Sequence, residues 1–245
     1  MEKEVFVIPR SKLIDAGLLP AEDTEGKAFY TRINSLGDLR RLVDVANTSG
    51  EYGKLYGKAN VETNPSLQQV IMYGYVQRGD GRFLLYQRAG GNNYKEKRLA
   101  GKVSVGIGGH MEQADINLAQ SLYRELDEEA QVFIDNEPVS FTSDQGKLNL
   151  PLMKKYLRIS PIGFIKDERD AVGKVHFGVV CRIVPKAENI DICIRIEPGQ
   201  ENIRWQYVTP QEYIEMQEAE QINPEGWTDI VFQEEILRNS QEKTA

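Results

Sequence analysis

The run Arg124-Glu125-Leu126-Asp127-Glu128-Glu129 is the part of the chain best equipped for chemistry. On a helix, each residue turns about 100° from the last. With Glu125 at zero, Glu129 falls about 40° to one side and Glu128 about 60° to the other. Leu122, Leu126, Ala119 and Ala130 cluster on the adjacent arc, which is the pattern of a core-facing stripe. Three carboxylates therefore share one stripe, and Asp127 points elsewhere. Acids at these spacings repel one another, and a helix selected only for stability would interleave lysines. A hard cation such as Mg²⁺ or Mn²⁺ makes use of the cluster, because it takes carboxylate oxygens and brings phosphate oxygens into the same shell. Two or more such ions can activate a water and neutralise a leaving phosphate. The competing explanation is an acidic helix face bathed in solvent.

Several elements must position this stripe. Val103–Ile107 reads as a short strand that ends in Gly108-Gly109. A loop follows, then a helix over about 116–130. Upstream, Val70–Gln77 and Phe83–Gln87 flank the turn Arg78-Gly79-Asp80-Gly81 and read as a hairpin. Downstream strands are expected at Tyr156–Ile165, Val175–Val184 and Ile203–Val208. A helix should begin at Thr209 or Pro210 and run through Met216, with a last one over Trp227–Leu237. Before all this, Val5–Ile8 reads as a strand, and Ser11 as the cap of a brief helix. Ser35–Ala46 carries Leu36, Leu39, Leu42 and Val43 at helical spacing, and Asn47–Pro65 reads as a linker. The pattern predicts an α/β (α+β) fold with helices packed on a sheet. It consists of a small N-terminal extension (1–65) and a main domain (66–245) with C-terminal helices.

A strand, a Gly-Gly, a loop and RELxEE on a helix together resemble the Nudix hydrolase family, whose signature is G-x5-E-x7-R-E-U-x-E-E-x-G-U with U a bulky apolar residue. Arg124, Glu125, Leu126, Glu128, Glu129 and Val132 match in register. Gly108-Gly109-His110-Met111-Glu112 resembles the family's entry to the loop, and Leu84–Arg88 its upstream strand. The likeness covers about residues 68–208. It implies a Nudix α/β/α sandwich with a mixed sheet. Three longer stretches, Arg98–His110, Val172–Gly178 and Glu225-Gly226-Trp227-Thr228, resemble a little-described Nudix branch labelled predicted phosphoesterases. Two departures stand out. Asp115 takes the place of the loop glutamate, with one extra residue before Arg124. Gln131 stands where the family has a glycine in left-handed conformation, which costs another residue roughly 1–2 kcal/mol. Either the turn differs here or the strain is accepted.

The resemblance implies catalytic roles for Glu125, Arg124, Glu128 and Glu129. Metal contacts fall to Glu125, Glu128, Glu129 and the backbone at Gly109. Glu125 is a ligand or the base that positions water, and Arg124 holds a helix glutamate by a salt bridge. Arg88, His110 and Glu112 are candidates for substrate binding. Glu112 and Asp115 compete for the loop carboxylate, and Asp167, Glu168, Asp170, Glu197 and Glu201 are available as a further acid. Arg88, Lys95, Lys97, Arg98 and Lys102 form a basic cluster that could steer a polyphosphate. His176 reads as a sheet-face histidine ahead of a ligand, and Trp205 and Tyr207 as core ahead of base-stacking surfaces. The cofactor expected is Mg²⁺ or Mn²⁺, and the substrate a small molecule with a diphosphate linkage, in a nucleoside diphosphate derivative. A non-catalytic Nudix-fold sensor is the alternative. Isopentenyl diphosphate isomerisation is a weaker third reading, since neither Cys lies beside the signature in sequence.

Composition narrows the classes. A net charge of −7 argues against stable nucleic-acid binding, which needs a basic footprint. Cys181 and Cys193 sit in apolar contexts and read as reduced thiols of a cytoplasmic protein. His110 and His176 are the only two histidines, too few for a His-rich zinc site, and no CxxC or HExxH occurs. No apolar run is long enough to span a membrane. Two roles are open to the extension: completing the substrate pocket, or forming a homodimer interface.

Overall fold

The computed structural model describes residues 3–21, 24–57, 60–88, 99–143, 147–196 and 203–242. In chain order they form β1 (Glu4–Pro9), α1 (Arg10–Asp15), β2 (Ala28–Arg32), α2 (Leu36–Ser49), β3 (Glu51–Lys54) and a single 3-10 turn (Val61–Thr63). Next come β4 (Leu67–Val76), β5 (Phe83–Gln87), β6 (Val103–Ser104), β7 (Gly106–His110), α3 (Leu118–Glu129), β8 (Ala130–Ile134) and β9 (Glu137–Val139). The remainder comprises α4 (Leu150–Tyr156), β10 (Leu157–Asp167), α5 (Ala171–Val175), β11 (His176–Pro185), β12 (Ile190–Ile194), β13 (Arg204–Val208), α6 (Pro210–Glu218), α7 (Gly226–Val231) and α8 (Arg238–Glu242). One π-helical turn, Phe232–Leu237, joins α7 to α8. This is the expected mixed α/β fold.

The chain divides into two compact units. The first takes Met1–Tyr73, Gly108–Leu122 and Pro161–Cys181, and the second takes Gly74–Ile107, Tyr123–Ser160 and Arg182–Ala245. The first unit is organised on a seven-stranded sheet of order β2-β10-β11-β4-β1-β3, with β7 also pairing β4. β1 runs antiparallel to both β3 and β4. Thus the first 54 residues supply three strands to this sheet, and part of the stretch read as linker is strand β3. Val5 and Val7 of β1 pack with Leu55 and Val61, because alternate strand residues face one side. Ser35 is the N-cap of α2, and its backbone N donates to Asp38 Oδ2 at 3.0 Å. Its apolar spacing is only partly used: Leu42 is buried, while Leu36 is 83% and Val43 47% exposed. α1 begins after Pro9 rather than at Ser11, whose side chain makes no cap.

Ionic groups lie deep in this unit. Lys166 is 1% exposed, and its Nζ donates to the carbonyls of Gly173 at 2.6 Å and Lys174 at 2.8 Å. Glu168 accepts from Arg10 and from Thr24 Oγ1 and sits 3.5 Å from Lys166. Burial lowers the Lys166 ammonium to about 8 despite the attraction of Glu168. Burial pushes the Glu168 carboxyl up, but hydrogen bonds from Thr24 and Arg10 and the nearby Lys166 charge hold it below its ordinary value.

The second unit holds two three-stranded sheets, β12-β8-β9 and β13-β5-β6. The hairpin expected between Val70–Gln77 and Phe83–Gln87 is reduced to its turn. Gln77 and Phe83 form one bridge, after which β5 pairs with β13 and β6 instead. Leu84, Tyr86, Ile107, Leu126, Ala130, Val132, Phe141, Met153, Ile183 and Ile192 make the core. Leu126 and Ala130 are the apolar arc anticipated beside the glutamates.

Candidate functional site

The acidic stripe forms on α3 as its spacing requires. Asn117 Oδ1 accepts from Gln120 N at 3.0 Å and caps the start of the helix. Leu122 and Leu126 are buried at 1% and 0%. Arg124 Nη1 donates to Glu125 Oε1 at 2.8 Å and to Glu128 Oε2 at 3.2 Å. The Glu125 side chain is 12% exposed and that of Glu128 59%. One guanidinium thus balances two carboxylates that would otherwise repel. Glu129 is half-buried. Asp127 faces away, as its angle on the helix requires, and accepts from Phe141 N at 3.1 Å and from Thr142 Oγ1.

The helix ends without the left-handed residue of the signature. Among the described non-glycine residues, only Asp135, Asn136 and Glu220 have positive φ. Gln131 is an ordinary strand residue of β8, opposite Cys193 in β12. The free carbonyls at the helix end are met by Arg195. Its Nη2 donates to Asp127 O and Ala130 O, each at 3.0 Å, and its backbone N donates to Glu129 O at 2.7 Å. Arg195 had no signal in the sequence, because its task is set by the β8–β12 pairing. That pairing also places Cys193 beside the end of the signature, although the two are far apart in sequence. Burial pushes the Cys193 thiol up, and Cys181 is pushed up to about 12, so neither is a ready nucleophile. Both are free thiols.

Gly108 has φ +150°, and a Cβ there would stand 1.8 Å from the Met72 carbonyl oxygen. Only glycine allows β7 to lie this close to β4. Gly109 is half-buried on the same strand. In the following loop, Asp115 Oδ2 accepts from Glu112 N at 2.9 Å, and Asp115 N returns a bond to Glu112 O at 3.0 Å. Asp115 is 5% exposed. The Glu112 carboxylate pairs with Lys3 at 2.6 Å.

Other expected site residues have internal partners. Arg88 Nε donates to Glu225 Oε2 at 2.7 Å, and Ser104 Oγ donates to Glu225 Oε1 at 2.5 Å. Thr228 Oγ1 accepts from Val105 N at 3.1 Å. The Glu225–Thr228 motif is therefore a brace for strand β6 and the residues after it. Asp167 is gripped by Arg169 through two bonds of 2.7 Å, and Asp170 caps α5 by accepting from Gly173 N at 2.7 Å. Lys95, Lys97, Arg98, Glu197 and Glu201 lie outside the described residues. Tyr207 donates to Ile192 O at 2.7 Å under the Arg78 guanidinium. Trp205 is 37% exposed rather than core, and with Tyr86, Gln87, Arg204 and Met216 it lines a groove of about 700 Å³.

Within the first unit the fold joins residues that are distant in sequence. Glu62, His110 and His176 each bring one donor atom within 4.8 Å of the others. Neither Glu62 nor the pairing of the two histidines was visible in the sequence. His110 is held by Gln69, whose Oε1 lies 2.7 Å from its Nε2.

No family model matches this chain. It is 26% identical over 186 residues to Protein YmaB of Bacillus subtilis (strain 168), covering 74% of each chain. The solved structure of Tm1382, a "putative Nudix hydrolase", superposes with a TM-score of 0.60 at 18% identity, covering 94% of this chain and 96% of that one. DR0079 from Deinococcus radiodurans gives a TM-score of 0.43 at 14% identity over 69% of this chain and 86% of that one, too distant to carry weight. The α/β arrangement is that of the Nudix-type structural neighbours. Among the described residues, no helix is long and apolar enough to cross a membrane.

Proposed function

We propose that this chain is a metal-dependent Nudix hydrolase that cleaves a diphosphate linkage in a small molecule, a nucleoside diphosphate joined to another group. The observation that carries the reading is the α3 stripe, where Arg124 bonds both Glu125 and Glu128. The donor set fits Mg²⁺ or Mn²⁺, since Glu125, Glu128 and Glu129 offer only carboxylate oxygens. These three would hold the ion. The bound ion would supply Lewis-acid polarisation of a phosphoryl oxygen and charge neutralisation for the leaving phosphate.

The chain's own residues have separable tasks. Glu125, nearly enclosed and bonded to Arg124, has a fixed carboxylate able to orient an attacking water and take its proton. Arg124 is a positioning residue: it sets the rotamers of two acids and offsets their mutual repulsion. In this reading Arg88 braces β6 through Glu225, and Glu112 anchors Lys3, so neither is assigned a substrate contact. His110 is held by Gln69 in the first unit. The absence of strain at Gln131 removes one reason to regard the signature as degraded.

The test is phosphate or nucleotide release from nucleotide sugars, ADP-ribose, NADH, dinucleoside polyphosphates, nucleoside triphosphates and prenyl diphosphates, with Mg²⁺ or Mn²⁺. Turnover of a diphosphate that Glu129→Gln abolishes supports the proposal. Saturable binding of one compound with no turnover would instead indicate a sensor, and turnover unchanged by Glu129→Gln would remove the assignment.

A further inference from the structure

Glu62 lies on the 3-10 turn, His110 at the end of β7 and His176 at the start of β11, all within the first unit. His176 is 7% exposed, and Glu62 and His110 are half-buried. The two imidazole Nε2 atoms are 3.3 Å apart. The protonation pattern at this close approach follows from the partners. His176 Nδ1 is 2.6 Å from the Val172 carbonyl oxygen, which can only accept. The proton of neutral His176 is therefore on Nδ1, and its Nε2 presents a lone pair toward His110. This is the arrangement in which a metal-binding histidine is commonly held, its far nitrogen donating to a backbone carbonyl.

We propose that Glu62, His110 and His176 form a second metal site, selective for a first-row transition ion such as Zn²⁺ and sharing no ligand with the α3 glutamates. Two imidazoles and one carboxylate suit Zn²⁺ or its neighbours, whereas Mg²⁺ prefers oxygen donors alone. The spacing agrees: two nitrogens at about 2.0–2.1 Å from a tetrahedral zinc stand about 3.3–3.4 Å apart. In the metal-free protein, His110 Nε2–H donates to Gln69 Oε1 at 2.7 Å. On binding, that proton moves to Nδ1, or leaves, and His110 Nε2 turns its lone pair to the ion. Gln69 is fully buried, and its Nε2 points to the Val61 carbonyl at 3.5 Å, so its Oε1 is directed at the histidines. That oxygen is then free to serve as a fourth donor. The proposal is independent of the hydrolase reading, because no residue of this set belongs to the acidic stripe.

The test is equilibrium binding of Zn²⁺ to the full chain in excess Mg²⁺, by competition with a chromogenic chelator, together with the visible spectrum of the Co²⁺-loaded protein. The expected result is one Zn²⁺ per chain and a Co²⁺ band of tetrahedral or five-coordinate intensity. Glu62→Gln and His176→Gln should each weaken binding at least about tenfold, as loss of even a supporting residue does. Glu129→Gln should leave it unchanged. Far-UV circular dichroism checks that the variants fold. If His176→Gln does not fold, Glu62→Gln, on a half-exposed turn, decides alone. Absence of Zn²⁺ binding, binding abolished by Mg²⁺ and by Glu129→Gln, or binding unaltered in Glu62→Gln would each overturn the proposal.

Discussion

Glu128 is largely open to water and Glu125 nearly closed off, yet the same Arg124 nitrogen binds both. That difference separates their expected mutants. Glu128→Gln removes an exposed charge, so its thermal midpoint should stay close to that of the parent protein. If Glu128 and Glu129 hold the metal, Glu128→Gln and Glu129→Gln should each lower metal-dependent turnover at least as much as the roughly 10–100-fold known for supporting residues. Steady-state kinetics against Mg²⁺ concentration, alongside a melting curve, reads both effects. Full activity in either variant would remove that glutamate from the site.

At the scale of elements, the junction of α3 with β8 departs from the signature most clearly. A glycine is favoured at a helix end only where the chain turns left-handed. Here the chain enters a strand directly, so Gln131→Gly gains nothing and should destabilise by roughly 0.5–1 kcal/mol through backbone entropy. A stabilising effect in urea titration would mean that the left-handed turn forms after all. Arg195 satisfies the carbonyls such a turn would have met. Its two side-chain bonds come from a charged donor, so Arg195→Ala should cost about 1.5–3 kcal/mol in the same titration.

For the whole molecule, the first 54 residues are part of the architecture. β1 lies between β3 and β4 in the sheet. Deleting residues 1–54 would expose the β4 edge that β1 covers, and exposed edges aggregate. The truncated chain is therefore expected to be insoluble or to lose cooperative unfolding. A soluble truncation with an unchanged melting curve would show that the sheet stands without β1. Stability should also depend on pH through Lys166. Its ordinary value is 10.5 and its folded value about 8, so between these the unfolded chain binds more protons. Stability contributed by this group therefore rises as pH increases from about 8 to 10.5. Lys166→Met should flatten that rise, measured by denaturant midpoints at the two ends of the window. Glu168, held below its ordinary value, contributes stability that is lost as pH falls through its lowered value.

Whatever depends on local period and spacing is legible in the residues alone. The carboxylate stripe on α3, the apolar arc of Leu126 and Ala130 beside it, the α/β texture and the strand at Phe83–Gln87 all follow from neighbours along the chain. β2, β3, β8, β9 and β12 carry no such local signal, because short strands gain their stability from partners that only the fold supplies. The same limit made a hairpin of two strands that in fact join different sheets, and placed Trp205 in the core. Which distant side chains meet depends on the fold. It gave Arg88 to Glu225, set Arg195 at the end of α3, and brought Glu62, His110 and His176 together across more than a hundred residues of chain. Contacts of that kind depend on sheet order and register, and a linear pattern carries neither.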